Sequence, residues 1–371
     1  MSHLTVLSGL PLEKLAEVLR PLPAFRARQI FQWISRGAAG FDAMTNLSLP
    51  LRFDLSSRFS LRSSEASEIQ RDPDGTAKLR ISLGDGASIE AVLLSDGEGR
   101  QTACISTQVG CPMGCVFCKT GTLGFQRNLD AAEMVEQFLH LRELAPELSH
   151  IVIMGMGEPL LNLDALRDFV AIVTDPEGLH ISRRRITLST SGLVAGIRDL
   201  VDRGPDIRLA VSLTTADPEL RSALMPVNRS DPLPLLKEAL VQYQRTYDKR
   251  ITLETVLLGG LNTRSEDADA LAKFAQGLEA VINLIPWNPV EGLNILGQAL
   301  REPSRREVER FAQDLQRRGL LVTTRMRKGR GVSGACGQLG SLSSESSSTE
   351  TEVDDTDAAA AVADTEISRM V

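Results

Sequence analysis

Residues 108–121 read QVGCPMGCVFCKTG, and their three cysteines decide how the rest of the chain is read. Cys111, Cys115 and Cys118 stand at C-x3-C-x2-C spacing. Three thiolates leave a tetrahedral metal one ligand short. The fourth position belongs to another side chain, with Cys104 and Cys336 the remaining thiols, or to something that is not protein. Structural zinc sites use paired C-x2-C units, and zinc with a fourth cysteine is one reading of this loop. The asymmetric spacing, in a Gly- and Pro-containing loop between a strand and a helix, fits an iron–sulfur cubane with one open iron.

The surroundings of that loop repeat a pattern. Short apolar strands are expected at 103–107, 150–155, 185–189, 207–213, 251–258 and 281–285, with helical stretches near 131–145, 163–174, 193–203, 232–246 and 266–279. Alternating strand and helix predicts a parallel sheet or barrel, and six such units predict a partial (β/α)6 barrel. A helix at 303–318 and a final strand LLVTTRMR follow. In such folds functional groups gather at the C-terminal ends of the strands. There the chain places the thiols, Gly157 and Glu158 in GMGEP, Ser189 in LSTSG, Ser212, Leu213 and Thr214 in SLTT, and Asn288 in PWNPV.

Residues 1–96 differ in texture. PLEKLAEVL and AFRARQIFQWISRG have helical apolar spacing, the second closed by Gly37, and 76–94 read as a β-hairpin turning at Gly84-Asp85-Gly86. They predict a small α+β accessory domain before a core at 97–339. Residues 340–371 are Ser-, Thr-, Asp-, Glu- and Ala-rich and lack large apolar spacing, so a disordered acidic tail is expected. The net charge of −7 lies in that tail: residues 337–371 carry eight acids and one base, and the body is neutral. RNA binding therefore depends on local clusters, at Arg183–Arg185 and at Arg325, Arg327, Lys328 and Arg330. No long apolar run predicts a membrane span and no secretory leader is apparent, so a cytoplasmic location is expected. Four histidines in no ligand pattern argue against a His-based metal centre.

C-x3-C-x2-C in such a loop resembles the radical S-adenosylmethionine (SAM) superfamily. With FRARQIFQWI, MTNLS, ISTQVGC, MGMGEPL, RRITLSTSGL, LAVSL, LRSALMPVNR, NLIPWNPV and ACGQL in order, residues 10–339 resemble the RlmN/Cfr family of radical-SAM RNA adenine methyltransferases. The resemblance implies a 4Fe-4S cluster on Cys111, Cys115 and Cys118, with SAM chelating the open iron. It implies two SAM molecules per turnover, one methylating Cys336 and one yielding a 5'-deoxyadenosyl radical that abstracts hydrogen from that methyl. It gives Glu90 as the base that removes the ring proton and Cys104 as the thiol that resolves the adduct through a disulfide with Cys336. Gly157, Glu158, Ser189, Ser212, Leu213, Thr214 and Asn288 match its SAM-binding positions. The implied substrate is C2 of an adenine in 23S rRNA, and also in tRNA, with a flavodoxin- or ferredoxin-type electron donor. Methylation at C8 and a non-catalytic, zinc-stabilised RNA-binding protein are the competing readings. The chain departs from the family pattern twice. Ser-Leu-Thr stands where Ser-Leu-His is usual, and the loop from Arg330 to Cys336 is two residues shorter and lacks an Asp-Ile pair.

Overall fold

A computed structural model describes residues 4–97, 99–290, 292–295, 298–325, 328–329 and 331–340. The expected acidic tail beyond residue 340, and Arg327 and Arg330, lie outside the described residues.

The N-terminal region forms helices α1 (Leu12–Val18), α2 (Ala24–Ser35) and α3 (Leu49–Arg58). In α2 the spacing of Ala27, Ile30, Phe31 and Ile34 makes one apolar stripe, and all four are buried. The helix stops where Gly37 takes φ +87°, a conformation that costs a side-chain-bearing residue strain.

A ten-stranded sheet carries the rest. Its strands are β1 (Glu65–Arg71), β2 (Ala77–Ser82), β3 (Ser88–Ser95), β4 (Gln101–Cys104), β5 (His150–Ile153), β6 (Ile186–Thr190), β7 (Arg208–Ser212), β8 (Ile251–Leu257), β9 (Ala280–Pro286) and β10 (Leu321–Thr324). They lie side by side in chain order. The pairs from β1 to β4 are antiparallel. From β4 to β10 every pair is parallel. Helices α4 (Ala131–Leu144), α5 (Leu163–Thr174), α6 (Val194–Arg203), α7 (Leu233–Tyr247), α8 (Ser265–Ala275) and α9 (Arg305–Arg317) cross between successive parallel strands. Six βα units closed by a seventh strand are the partial (β/α)6 barrel that the alternation predicts. The expected hairpin is β2–β3, and it extends the barrel sheet. Strand β1 was not expected: EASEIQR has no apolar face, and its exposure alternates only between partial and full.

Period-two alternation sorts the barrel strands. Ile151, Ile153, Ile186, Leu188, Leu209, Val211, Ile251 and Leu253 belong to the main apolar core. Their neighbours His150, Val152, Thr187, Ser189, Arg208, Ala210, Thr252 and Glu254 line the barrel's interior cavities. Register sets Val152 beside Thr187, Thr187 beside Arg208 and Ala210 beside Thr252, so the cavity-facing residues form rungs across the interior.

The N-terminal segments dock on α4 through one buried carboxylate. Glu136 accepts from Ser8 Oγ at 2.7 Å and from the Ser63 and Ser64 N–H groups at 3.0 and 2.8 Å. Burial raises its pKa, and these donors oppose that shift. Among the described residues no helix is long and apolar enough to cross a membrane.

Candidate functional site

The cysteine loop follows β4 and is held by backbone hydrogen bonds, within itself and to Leu224. Cys111 N–H donates to Gly124 C=O at 2.9 Å, Val116 N–H to Leu224 C=O at 3.0 Å and Cys118 N–H to Cys115 C=O at 3.2 Å. Gly110 sits at φ +76°, where a Cβ would come 1.9 Å from the Gly124 oxygen, so no larger residue fits. The loop turns all three thiols toward one cavity, whose wall also carries Gly157, Glu158, Ser189, Ser212 and Asn288. These lie at or just beyond the C-terminal ends of β5, β6, β7 and β9, the rim the sequence indicated.

Burial pushes the Cys111 thiol up to about 12 and raises Cys115 and Cys118 as well; the Cys118 charge adds to the rise at Cys111, and those of Cys118 and Cys111 to the rise at Cys115. Thiolates crowded in an apolar setting call for a bound cationic centre. Among the described residues no three His, Cys, Asp or Glu side chains converge as a single-ion site. Three soft thiol donors around a shared cavity fit an iron–sulfur cluster with an open corner.

The polar wall opposite the thiols is preset. Glu158 is buried, and its carboxylate accepts the N–H groups of Ser191 at 2.7 Å and Leu160 at 3.1 Å. Its own N–H donates to Gln108 Oε1 at 2.8 Å. Burial raises its pKa, and an incoming ammonium would reverse that shift. Gly157 is required where it stands: at φ +106° a Cβ would lie 2.6 Å from the Gln108 side chain. Ser189 Oγ donates to Glu254 Oε2 at 2.8 Å. Asn288 holds the Cys336 carbonyl through Nδ2 at 3.1 Å, while its buried Oδ1 has no partner. An orphaned acceptor facing this cavity fits a ligand with a hydroxyl or ammonium donor, as SAM has.

Leu213 and Thr214 are not among the lining residues, and both are fully buried. Their N–H groups donate to the Glu254 carbonyl at 2.9 and 3.0 Å. Thr214 has φ +61°, unusual for a β-branched residue, and its Oγ1 is buried without a partner.

Cys336 lines the triad cavity and also a smaller pocket that holds Cys104 and Arg325. All five cysteines are free thiols. Burial pushes Cys104 up to about 12, the neighbouring Cys336 adds to this and Arg325 opposes it. Arg325, expected from the sequence on a phosphate-binding face, instead turns inward to this pocket. Gly337 C=O receives the Lys119 N–H at 2.7 Å, and Leu339 C=O receives Thr120 Oγ1 at 2.7 Å, so the Cys336 segment is tied to the cysteine loop.

Glu90 lies on β3, buried rather than facing solvent, and lines neither of these cavities. Its Oε1 is 3.0 Å from Lys78 Nζ and its Oε2 accepts the Gly340 N–H at 2.6 Å. Its carbonyl accepts Ser106 Oγ at 2.6 Å. Sequence reasoning missed Lys78, Glu254 and the inward turn of Arg325. For Glu254 the signal was present, as a single acid interrupting the apolar run ITLETVLL.

The chain matches the Radical SAM superfamily over residues 105–275 and the ribosomal RNA large subunit methyltransferase N-terminal domain over residues 6–61. It is 50% identical over 340 residues to a probable dual-specificity RNA methyltransferase RlmN of Treponema denticola, covering 92% of this chain and 96% of that one. It is 41% identical to the dual-specificity RNA methyltransferase RlmN of Pelobacter propionicus, covering 91% and 96%. Among solved structures, a radical SAM methyltransferase from Sphaerobacter thermophilus superposes with TM-score 0.86 at 41% identity, covering 90% of this chain and 99% of that one.

Proposed function

The chain belongs to the RlmN family of radical-SAM RNA methyltransferases, and from that premise we propose that it methylates C2 of an adenine in 23S rRNA, and also in tRNA, in the cytoplasm. The observation that carries this reading is the position of Cys336. Its thiol borders the cavity of the cysteine triad on one side and the Cys104 pocket on the other.

A 4Fe-4S cluster would be held by Cys111, Cys115 and Cys118, and with SAM it supplies a carbon radical strong enough to abstract hydrogen from a methyl group. Electrons would come from a flavodoxin- or ferredoxin-type donor. The chain's own residues do the rest. Glu158 orients an ammonium, and Ser189, Ser212 and Asn288 offer hydroxyl and amide contacts around it. An adenine ring carbon between two nitrogens is electron-poor, so ordinary methyl transfer to it fails and a carbon carried on sulfur must be delivered instead. Cys336 Sγ is the carrier, and its backbone is held beside the cavity by the Asn288 amide on the Cys336 carbonyl and the Lys119 N–H on the Gly337 carbonyl. Two SAM molecules per turnover follow, one to load Cys336 and one to activate the methyl it carries.

Glu90 would take the ring proton, and for this it must give up the Gly340 N–H that occupies one of its oxygens. Cys104 would then form the disulfide with Cys336 that frees the product. It shares the pocket with Cys336, so neither thiol has to cross the barrel. Residues 1–96, in this reading, form an accessory RNA-binding region.

Mass spectrometry of nucleosides from rRNA and tRNA incubated with the anaerobically reconstituted protein tests the reading. The expected product is 2-methyladenosine from both RNAs. Product at C8 would place the chain with the other branch of the family, and a colourless zinc protein without product would sink the catalytic reading altogether.

A further inference from the structure

The barrel has a second opening at the N-terminal ends of its parallel strands. A cavity there is lined by Arg184, Arg185, Arg208, His150 and Thr187 at the mouth and by Arg325 deeper in. Arg185 and Arg208 precede and begin β6 and β7, which pair in parallel, so their positively charged ends are brought to the same edge. Arg184, Arg185 and Arg208 are exposed, and none forms an ion pair with a carboxylate among the described residues. The acids that line the same cavity are engaged by other groups: Asp96 pairs with Arg100 at 3.1 Å, and Glu254 accepts Ser189 Oγ at 2.8 Å. The cationic field is felt locally, because burial and then the charges of Arg185, Arg100 and Arg208 lower the pKa of His150. A neutral protein body has thus collected unpaired positive charge around one mouth.

The mouth is continuous with the reactive thiols. Leu94, Met154, Arg325 and Lys328 line both this cavity and the pocket of Cys104 and Cys336. Glu254 lines both this cavity and the triad cavity. The strands between are about five residues long, so the mouth lies roughly 15 Å from the cysteine rim at about 3.3 Å per residue.

We propose that the RNA substrate enters the barrel through this N-terminal mouth, as a single-stranded segment whose phosphates bind Arg184, Arg185 and Arg208 while the target adenine reaches through the interior to Cys336. The inference rests on the reading of the chain as an RNA adenine methyltransferase and adds the route and the contacts. An adenine in a helix keeps its ring carbons stacked, so the reactive base must leave the stack. A barrel interior of mixed apolar and polar lining with cations at its entrance suits an extruded nucleotide whose flanking phosphates stay outside. An acidic electron-donor protein fits the same charge less well, since docking here would cover the substrate opening at the end of the barrel away from the cluster.

The test is RNA binding by the anaerobic holoenzyme, using a fluorescein-labelled RNA hairpin with an unpaired adenine in its loop. Wild type, Arg185→Ala/Arg208→Ala and the remote control Arg245→Ala are titrated across a salt series. Each single-strand phosphate contact contributes about 0.7 to the slope of log affinity against log salt. The double variant should lower that slope by about 1.4 and weaken binding tenfold or more at low salt, with SAM binding and thermal unfolding unchanged and the control like wild type. Slope and affinity equal to wild type would overturn the route. RNA binding unchanged but cluster reduction by a flavodoxin slowed would overturn it in favour of a donor-docking site. If wild type binds no RNA, the functional reading itself fails, an outcome separable from failure of the variant.

Discussion

Gly340 donates its backbone N–H to Glu90 at 2.6 Å, across 250 residues of sequence, and so ties the segment carrying Cys336 to the carboxylate expected to act as base. Lys78 occupies the other oxygen at 3.0 Å, with both side chains 6% exposed. A buried pair is costly to break, because the partner left behind is an uncompensated charge. Lys78→Met should therefore lower stability by about 3–5 kcal/mol. Lys78→Met/Glu90→Leu should recover most of that loss, since neither charge is then stranded. Urea unfolding of the two single variants and the double variant gives the coupling. Additive losses would show that the pair does not act as a unit.

The thiol pocket makes a pH prediction. Burial holds Cys104 protonated up to about 12, against about 8.5 for a free thiol. The folded-state value is raised, so the thiol favours the fold below about pH 8.5, and that contribution is lost as pH climbs toward 12. Resolution by Cys104 therefore requires that its proton be taken as it attacks. In a Cys336→Ala variant, iodoacetamide labelling of Cys104 should rise about tenfold per pH unit from 7 to 10, followed by peptide mass spectrometry. A plateau before pH 9 would show an ordinary, accessible thiol.

Glu158 predicts the opposite dependence for cofactor binding. Its folded-state pKa is raised by burial, so protonation, which removes the charge that pairs with an ammonium, sets in at higher pH than for a free carboxylate. SAM affinity should rise as pH climbs through and above the ordinary carboxylate range, where the SAM amino group stays protonated. Equilibrium dialysis of wild type and Glu158→Gln measures this. The variant should bind more weakly and lose the slope, and a wild type without slope would remove Glu158 from the ammonium site.

The barrel was legible because each βα unit joins a short apolar strand to an amphipathic helix, and α5 matches its expected range, 163–174, at both ends. The rim residues were legible because strand ends carry Gly, Ser and acid in place of apolar residues. The interior was not. Lys78 on β2 and Glu254 on β8 resemble ordinary charged positions until register shows which face is enclosed. Arg325 reads as one more base in a basic run, and only the closing strand's place beside β9 turns it toward Cys336. Thr214 was seen as a departure in side-chain chemistry. Its left-handed backbone, which His and Asn tolerate better than β-branched residues, cannot be read from spacing.

The shortened loop before Cys336 lacks an Asp-Ile pair, and the turn between β1 and β2 supplies acids from outside it. Asp72 accepts the Gly331 N–H at 2.6 Å and Asp74 accepts the Gly329 N–H at 2.9 Å. Within the loop, Gly334 N–H donates to Gly329 C=O at 2.9 Å. Burial raises the Asp74 pKa, but the Gly329 and Thr76 bonds outweigh it and hold the carboxyl below its usual range. That stabilisation is present above about pH 4 and lost as pH falls through the folded-state value. Hydrogen bonds to charged acceptors contribute about 1.5–3 kcal/mol each. Asp72→Ala/Asp74→Ala should release the loop without unfolding the barrel. Amide exchange across 329–340 should speed by tenfold or more at pH 7, and Cys336 should alkylate faster, while exchange in α5 and β6 stays as in wild type. Unchanged exchange in that loop would mean that its bonds to the cysteine loop and Asn288 suffice to hold it, and that the turn is not a latch.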